Sequence, residues 1–329
     1  MTRYALFVAG RPARVPVARR RRPRALLLAA LALTGLVAGC GTTTTGAAGP
    51  APAASASAFP ASAGGVTLPQ RPTHIVSLTP TGTEMLFAIG AGSQVTAVDD
   101  QSDYPAGVPA SNLSGYQPNA EAIAAKNPDL VVISDDTNKI KDQLTKLKIP
   151  VYVMPAAATL NDSYGQLTDL GTLTGHRSQA TQTVTQIKTG IAKLVTGVPK
   201  RTKPLTYYYE LDQTYYTVTS KTFIGSLFAM VGLTNIADPA DADGKAGGYP
   251  QLSAESIVQA NPDLIFLADT KCCKQSADTV RTRAGWSELA AVRGGRVVGL
   301  DDDIASRWGP RVVDLVQAIV NAVEKVPAS

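Results

Sequence analysis

Short apolar runs alternate with amphipathic stretches along most of this chain. Residues 75–78 and 130–133 are largely apolar over the length of a buried strand, whereas residues 176–195 repeat their apolar side chains at helical spacing, with Ile187 and Ile191 on one stripe. Strands that alternate with helices are typical of mostly parallel sheets covered on both faces. The pattern therefore predicts an α/β protein.

One part of this pattern occurs twice. Residues 119–134 and 253–268 are identical at seven of sixteen positions, and each copy predicts a short helix, an Asn-Pro-Asp turn and a buried strand. Each copy also places one acid, Glu121 or Glu255, in the first turn of its helix. A repeat with so much chain between its copies predicts two similar α/β lobes. The long amphipathic helix between the copies is the candidate connection.

Two local predictions concern the first elements of the lobes. Thr81 and Glu84 have the spacing of a capping box, which predicts the start of a helix after the first strand. Residues 205–211 and 214–219 are rich in strand-forming side chains. They predict two strands joined by a turn at the start of the second lobe.

The charge of the chain is unevenly distributed. The formal net charge is +5 at pH 7, but residues 1–39 hold eight arginines and no acid, and the rest of the chain has 23 basic and 26 acidic residues. No basic patch with interleaved aromatic side chains follows, so nucleic acid is not an expected partner. The arginine-rich start, the apolar run 25–38 and the small residues before Cys40 resemble a secretory signal peptide with a lipoprotein cleavage site. That resemblance implies cleavage before Cys40 and a lipid on its thiol, and a retained membrane anchor is the less favoured alternative.

The segment after Cys40 consists of Thr, Gly, Ala, Pro and Ser, with Phe59 as its only large side chain. Such a composition cannot form a packed core and predicts a disordered tether. The predicted organisation is a signal peptide at 1–39, a lipidated cysteine and tether at 40–66, an N-terminal α/β lobe at 67–172, an interlobe helix at 173–199 and a C-terminal α/β lobe at 200–329.

Residues that could carry chemistry of their own are few. Cys272 and Cys273 are adjacent, so the sequence allows either a vicinal disulfide or two free thiols. The two histidines, His74 and His176, are far apart in the chain and are expected to be structural or solvated. No nucleophile elbow, phosphate-binding loop or His-rich metal motif occurs in the sequence. We therefore expect neither an enzyme nor a protein with a metal or cofactor of its own.

Several short motifs follow one another along the chain. They are Ile-Val-Ser-Leu-Thr-Pro-Thr-Gly-Thr-Glu at 75–84, Ser-Asp-Tyr-Pro at 102–105, the two Asn-Pro-Asp-Leu segments and Ser-Arg-Trp-Gly-Pro-Arg at 306–311. Together with the lipoprotein box, they resemble the cobalamin/ferric-siderophore substrate-binding proteins of ABC importers. The resemblance implies two α/β lobes bridged by one long helix, with a ligand cleft between the lobes.

The same resemblance implies a function and a location. The protein is expected to be extracytoplasmic and lipid-anchored to the cell membrane. It is expected to capture a metal-chelate nutrient, either a corrinoid (vitamin B12) or a ferric siderophore, and to deliver it to an ABC permease dimer with its ATPase subunits. A haem-binding lipoprotein of the same fold is the alternative. A surface hydrolase is a weaker one, because no nucleophile–base pair is found.

The resemblance also assigns roles to four residues, and the polar surroundings of a fifth suggest one. Glu121 and Glu255 match the surface glutamates that dock into arginine pockets of the permease, and two acids at the same place in both copies favour docking over a mere interaction with the helix dipole. Tyr116 and Tyr249 precede the two repeated helices, where the family carries bulky aromatics at the cleft, and packing on their own lobes is the alternative. Trp308, which has polar neighbours, is expected to be a platform for the ligand.

Gln101, Arg307 and Arg311 complete the predicted ligand-binding residues. The two arginines flank the start of the last helix, where a cation opposes the helix dipole. They are expected either to contact an anionic group of the ligand or to pair with the aspartates at 301–303. Gln101 stands where cobalamin binders of the family tend to carry an aromatic residue, which leaves the choice between corrinoid and siderophore open.

Overall fold

The structure, a computed structural model, describes residues 59–327. The described chain begins with an antiparallel hairpin of β1 (Ala61–Ala63) and β2 (Val66–Leu68). This hairpin lies mostly within the segment predicted as a tether, 40–66. It is ordered because both strands bury apolar side chains and Phe59 packs against the main core. At least residues 59–66 of the predicted tether therefore belong to the folded protein.

The N-terminal lobe is built on a four-stranded parallel sheet. Its elements in chain order are β3 (Ile75–Leu78), α1 (Pro80–Ala88), β4 (Val95–Val98), α2 (Ala120–Ala124), β5 (Leu130–Ile133), α3 (Ile140–Lys146) and β6 (Val151–Val153). In space the strands follow the order β4-β3-β5-β6. Every residue of β3 and β5 is buried, which explains why both strands are nearly unbroken apolar runs in the sequence.

Two long helices follow the N-terminal lobe, α4 (Leu160–Thr174) and α5 (Arg177–Thr196). Gly175 ends α4 in the left-handed conformation, with φ of 78°. The apolar stripe in the sequence predicted α5, and its Ile187 and Ile191 are buried. One face of α5 packs on α4, and α5 also contacts the last helix of the chain. It therefore joins elements of both lobes.

The C-terminal lobe repeats the plan of the first. Its elements in chain order are β7 (Thr206–Glu210), α6 (Phe223–Met230), β8 (Thr234–Asn235), α7 (Ala254–Ala260), β9 (Leu264–Leu267), α8 (Ala277–Arg281), α9 (Ala290–Arg293), β10 (Val297–Gly299), α10 (Asp302–Ser306) and α11 (Val312–Glu324). The sheet is again four-stranded and parallel, with the spatial order β10-β9-β7-β8.

The strand orders confirm that the lobes are similar. In each sheet the first strand lies between the second and the third, and the fourth strand lies outside the third. The two copies of the sequence repeat, α2–β5 and α7–β9, therefore occupy the same place in their lobes. Two α/β lobes with parallel sheets confirm the predicted fold class.

Two local predictions were wrong. Helix α1 begins at Pro80, a favoured first helical residue, so Thr81 and Glu84 lie inside the helix and form no capping box. Residues 214–219 form no ladder strand. Their backbone instead bonds to residues 248–252, with a single antiparallel bridge from Tyr216. Strand propensity at 214–219 was overridden by these tertiary contacts.

The largest apolar cluster of the described residues extends through both lobes. It includes side chains from α1 and β3 in one lobe, from α6 and α11 in the other, and from α4 and α5. Two smaller clusters cover the remaining face of each sheet. A shared core of this kind restricts movement of one lobe against the other, because any large rotation would expose apolar surface.

The predicted signal peptide, Cys40 and the first part of the tether lie outside the described residues. Among the helices that the structure describes, none is both long and apolar enough to cross a membrane.

Candidate functional site

A cavity of about 240 Å³ lies where the two lobes meet. On the N-terminal side it is bounded by the segments that follow β3, β4 and β5, and on the C-terminal side by the segment that follows α10. The residues that line it are Leu78, Thr79, Pro80, Thr81, Asp99, Gln101, Gly115, Tyr116, Ser134, Ser306, Arg307 and Trp308. Ligand sites in open α/β sheets lie at the carboxyl ends of the strands, as this cavity does.

The cavity brings together four of the predicted ligand-binding residues, Gln101, Tyr116, Arg307 and Trp308. They come from distant parts of the chain. Tyr116 is 78% exposed and stands at the mouth of the cavity. Arg311 and Tyr249 are not among the residues that line it. Ligand contact by any of these side chains stays a prediction.

Trp308 is held in place by hydrogen bonds to helix α4. Its indole Nε1 donates to Oε1 of Gln166 at 2.8 Å, and its carbonyl oxygen accepts from Oγ of Ser163 at 2.6 Å. Gln166 in turn donates to the carbonyl oxygen of Pro155 at 2.6 Å. Both bonding partners lie on α4, so the position of the Trp308 ring depends on contacts between the lobes.

Glu84, Arg307 and Arg311 form an interlobe ion cluster next to the cavity. Glu84 lies on α1 and its side chain is 1% exposed, whereas the arginines belong to the C-terminal lobe. Nη1 of Arg307 lies 2.8 Å from Oε1 of Glu84. Arg311 donates from Nε to Oε2 of Glu84 at 2.9 Å and from Nη2 to Oε1 at 2.5 Å. These bonds to Glu84 raise the pKa of Arg311.

Arg307 has further acceptors around it. Its Nη2 donates to Oδ1 of Asp303 at 2.7 Å and to the carbonyl oxygen of Gln101 at 3.1 Å, and its Nη1 lies 3.3 Å from Oδ1 of Asp103. The sequence left open whether the arginines meet a ligand or nearby aspartates. Asp303 is one partner, but Glu84 binds both arginines. Glu84 is the single acid in the otherwise uncharged helix α1, and this feature of the sequence could have identified it as a partner for the arginines.

Asp99 supplies the cavity with a buried acid. It follows β4 and is 3% exposed. Burial, the largest effect, raises the pKa of Asp99, and a hydrogen bond from Oγ of Ser102 partly opposes the rise. Ser102 also bonds to Thr83 of α1 at 3.0 Å, which ties the two segments together.

A second buried ion pair lies within the C-terminal lobe, at the ends of β7 and β9. Arg283 donates through both terminal nitrogens to Glu210, each at 2.6 Å. The side chain of Asp269 is buried beside them, and neither of its oxygens accepts a hydrogen bond from another described residue. Burial first, and then the charge of Glu210, raise the pKa of Asp269 to about 7.

The adjacent cysteines form a disulfide, Cys272–Cys273. The sequence had left bridged and free thiols open. The loop that carries the disulfide is held by Asp302, which accepts from the backbone nitrogens of Lys271 and Cys272, each at 2.9 Å. Among residues 59–327, no group of three or more His, Cys, Asp and Glu side chains is arranged to hold a metal ion.

Glu121 and Glu255 occupy equivalent exposed positions in the first turns of α2 and α7. In each helix the isoleucine two residues later, Ile123 or Ile257, is fully buried. Residues two apart point to nearly opposite sides of a helix, so burial of the isoleucine directs the glutamate to solvent. Each lobe therefore presents one carboxylate outward at the same place.

Two similar lobes joined through a helix, with a cavity at the strand ends between them, define a bilobal solute-binding protein. A family model described as periplasmic binding protein matches residues 75–304. The chain therefore belongs to the periplasmic binding protein family.

Individual relatives agree with this membership. The uncharacterized ABC transporter substrate-binding lipoprotein YvrC of Bacillus subtilis is 30% identical over 91% of this chain and 95% of its own length. A cobalamin-binding protein of Halobacterium salinarum is 29% identical over 80% of this chain and 72% of its own length. A crystal structure from Staphylococcus epidermidis, described as a possible iron-binding (periplasmic solute-binding) protein, superimposes with a TM-score of 0.66 at 26% identity. The match covers 77% of this chain and 99% of that one.

Proposed function

We propose that this protein is the substrate-binding component of an ABC importer. It captures a metal-chelate nutrient of the corrinoid or ferric-siderophore class, delivers it to the permease and carries out no reaction itself. The observation that carries the proposal is the interlobe cavity, with Tyr116, Gln101 and Trp308 on its surface. The relative described as an ABC transporter substrate-binding lipoprotein supports the role in import, and the one described as a cobalamin-binding protein supports the corrinoid class of ligand.

The dimensions of the cavity suit capture of a large ligand that remains partly exposed. Pockets that enclose a drug-sized ligand have volumes of roughly 300–1,000 Å³, and this cavity has about 240 Å³. A chelate would therefore fill the cavity with one edge and extend past its mouth. There the exposed ring of Tyr116 supplies an amphipathic contact surface.

Delivery requires a surface that the permease recognises. The outward carboxylates Glu121 and Glu255, one on each lobe, fit a two-fold permease dimer that carries paired arginines and is driven by ATPase subunits. Lipid attachment at Cys40 would hold the protein at the outer face of the cell membrane, with the segment up to Phe59 as the tether.

The test is a tryptophan-fluorescence titration of the mature protein with cyanocobalamin, ferric hydroxamates, ferric catecholates and haem. The chain has two tryptophans, Trp308 at the cavity and the fully buried Trp286. A Trp286→Phe variant leaves Trp308 as the single reporter, and a Trp308→Phe variant is its matched control. We expect a tight ligand to quench the first variant strongly and the second much less. Absence of binding by every probe, or equal quenching and affinity in both variants, would contradict the proposed site.

A further inference from the structure

Arg307 lines the cavity, but its hydrogen-bonding groups are already occupied. A guanidinium group has five N–H donors, four of which are on the terminal nitrogens. Nη1 of Arg307 faces Glu84 and Asp103, at 2.8 and 3.3 Å, and Nη2 faces Asp303 and the carbonyl oxygen of Gln101, at 2.7 and 3.1 Å. Only Nε remains. Arg307 therefore cannot offer a ligand the two parallel donors with which arginine binds carboxylate or phosphate.

Arg311 is also occupied, and it lies away from the cavity lining. Its Nε and Nη2 form a fork on the carboxylate of Glu84, and one face of its guanidinium group covers the ring of Tyr104 at 4.2 Å. It belongs to the wall of a different pocket, with Tyr104 and Pro310. An anionic ligand could use Arg311 only by displacing Glu84, which would leave a buried carboxylate without its partners.

Acidic side chains outnumber basic ones near the cavity. Around the two arginines stand the carboxylates of Glu84, Asp103 and Asp303. Lys271 adds one positive charge, which is shared between Asp303 at 2.6 Å and Asp301 at 2.9 Å. Asp99 also lines the cavity and has no described basic partner within hydrogen-bonding distance. The acids of this group, Glu84, Asp99, Asp103, Asp301 and Asp303, outnumber its bases.

We infer that the cleft selects a neutral or cationic metal chelate and discriminates against anionic ones, an inference that rests on the proposed function. The groups left for the ligand are neutral hydrogen-bonding side chains, such as Gln101 and Ser134, and the rings of Tyr116 and Trp308. Such a surface matches a chelate with amide or hydroxamate groups at its edge. Ferric catecholate complexes and haem carry negative charge, and the excess of acids over bases around the cleft would repel it.

The experiment compares probes of different net charge on the wild-type mature protein at one pH and ionic strength. The probes are cyanocobalamin, which has no net charge, ferrioxamine B, a cationic ferric hydroxamate, a ferric tris-catecholate and haem. We expect the tightest of the four to be neutral or cationic and to bind at least about tenfold more tightly than either anionic probe, a difference of about 1.4 kcal/mol. If an anionic probe binds most tightly, the inference is overturned while the proposed function stands. If none of the four binds, the proposed function fails and the inference with it.

Two variants test the stated cause. Glu84→Gln removes the shared carboxylate from both guanidinium groups, so the affinity for the tris-catecholate should rise at least tenfold while cyanocobalamin changes less than threefold. Asp103→Asn relieves Arg307 of its most exposed partner, 66% exposed, and should give a severalfold rise in a protein whose buried cluster is intact. Asp278→Asn, the same charge change on the exposed helix α8, should alter neither affinity. An unchanged affinity for the tris-catecholate in both Glu84→Gln and Asp103→Asn would overturn the inference. If Glu84→Gln does not fold, the result for Asp103→Asn alone decides.

Discussion

Replacement of Glu84 by glutamine tests how strongly the interlobe ion cluster stabilises the protein. The side chains of Glu84, Arg307 and Arg311 are 1%, 10% and 15% exposed. Three hydrogen bonds of 2.8, 2.9 and 2.5 Å join them. Glutamine is nearly isosteric and retains one acceptor oxygen, but it has no charge. Two guanidinium groups would remain buried without the carboxylate that they share.

The size of the effect follows from this burial. Removal of one partner from a buried ion pair costs about 3–5 kcal/mol, because the remaining charge is left uncompensated. The loss of hydrogen bonds to a charged group, at about 1.5–3 kcal/mol each, gives a cost of the same order, since glutamine keeps part of the bonding. At about 2–4 °C for each kcal/mol in a domain of this size, Glu84→Gln should lower the melting temperature by roughly 6–20 °C.

The assay is urea unfolding of the mature protein, followed by circular dichroism and by tryptophan fluorescence. The matched control is Asp278→Asn, which breaks an ion pair with Arg281 whose side chains are 83% and 62% exposed. Exposed pairs contribute about 0.2–1 kcal/mol, so the control should change little. If the free energy of unfolding of Glu84→Gln is within about 1 kcal/mol of the wild-type value, as expected for the control, the ion cluster does not stabilise the packing of the lobes.

Three further predictions concern other parts of the protein. Asp269→Asn should stabilise the protein at pH 8 by up to about 4 kcal/mol, from three pH units at about 1.4 kcal/mol each. The folded wild type retains the Asp269 proton, so the contribution of this group to stability is fully present below its unfolded pKa of 3.8 and is lost as pH rises through about 7. Urea unfolding of wild type and variant at pH 4, 5.5 and 8 isolates this contribution, and an equal pH dependence in the two proteins would contradict it. Glu121→Arg combined with Glu255→Arg should abolish uptake and permease binding in a reconstituted transport assay while ligand affinity stays at the wild-type value, and lost ligand affinity would refute the docking assignment. Tyr116→Ala combined with Trp308→Ala should weaken ligand binding severalfold or more in calorimetric titration, and unchanged affinity for every tight ligand would move the site elsewhere.

The sequence predicted the parts of the fold that depend on local periodicity. Strands β5 and β9 and helix α5 were evident because their apolar side chains follow a fixed spacing, and the repeat identified the equivalent elements of the two lobes. The segment at 214–219 was mispredicted because the partner of a strand-forming stretch lies far away in the sequence. Its backbone bonds to residues 248–252, and this pairing cannot be predicted from the residues of the segment itself.

The same distinction between local and tertiary information applies to the candidate site. The sequence by itself determined which side chains could act, among them Tyr116, Gln101 and Trp308, because their types and motif neighbours are local facts. Only the tertiary structure decided what surrounds them. Glu84 is 223 residues from Arg307 along the chain, and their pairing depends on how two lobes pack. The charge of a cleft is a sum over groups brought together by folding, so arginines that suggest an anionic ligand in the sequence stand, in the folded protein, among the acids that neutralise them.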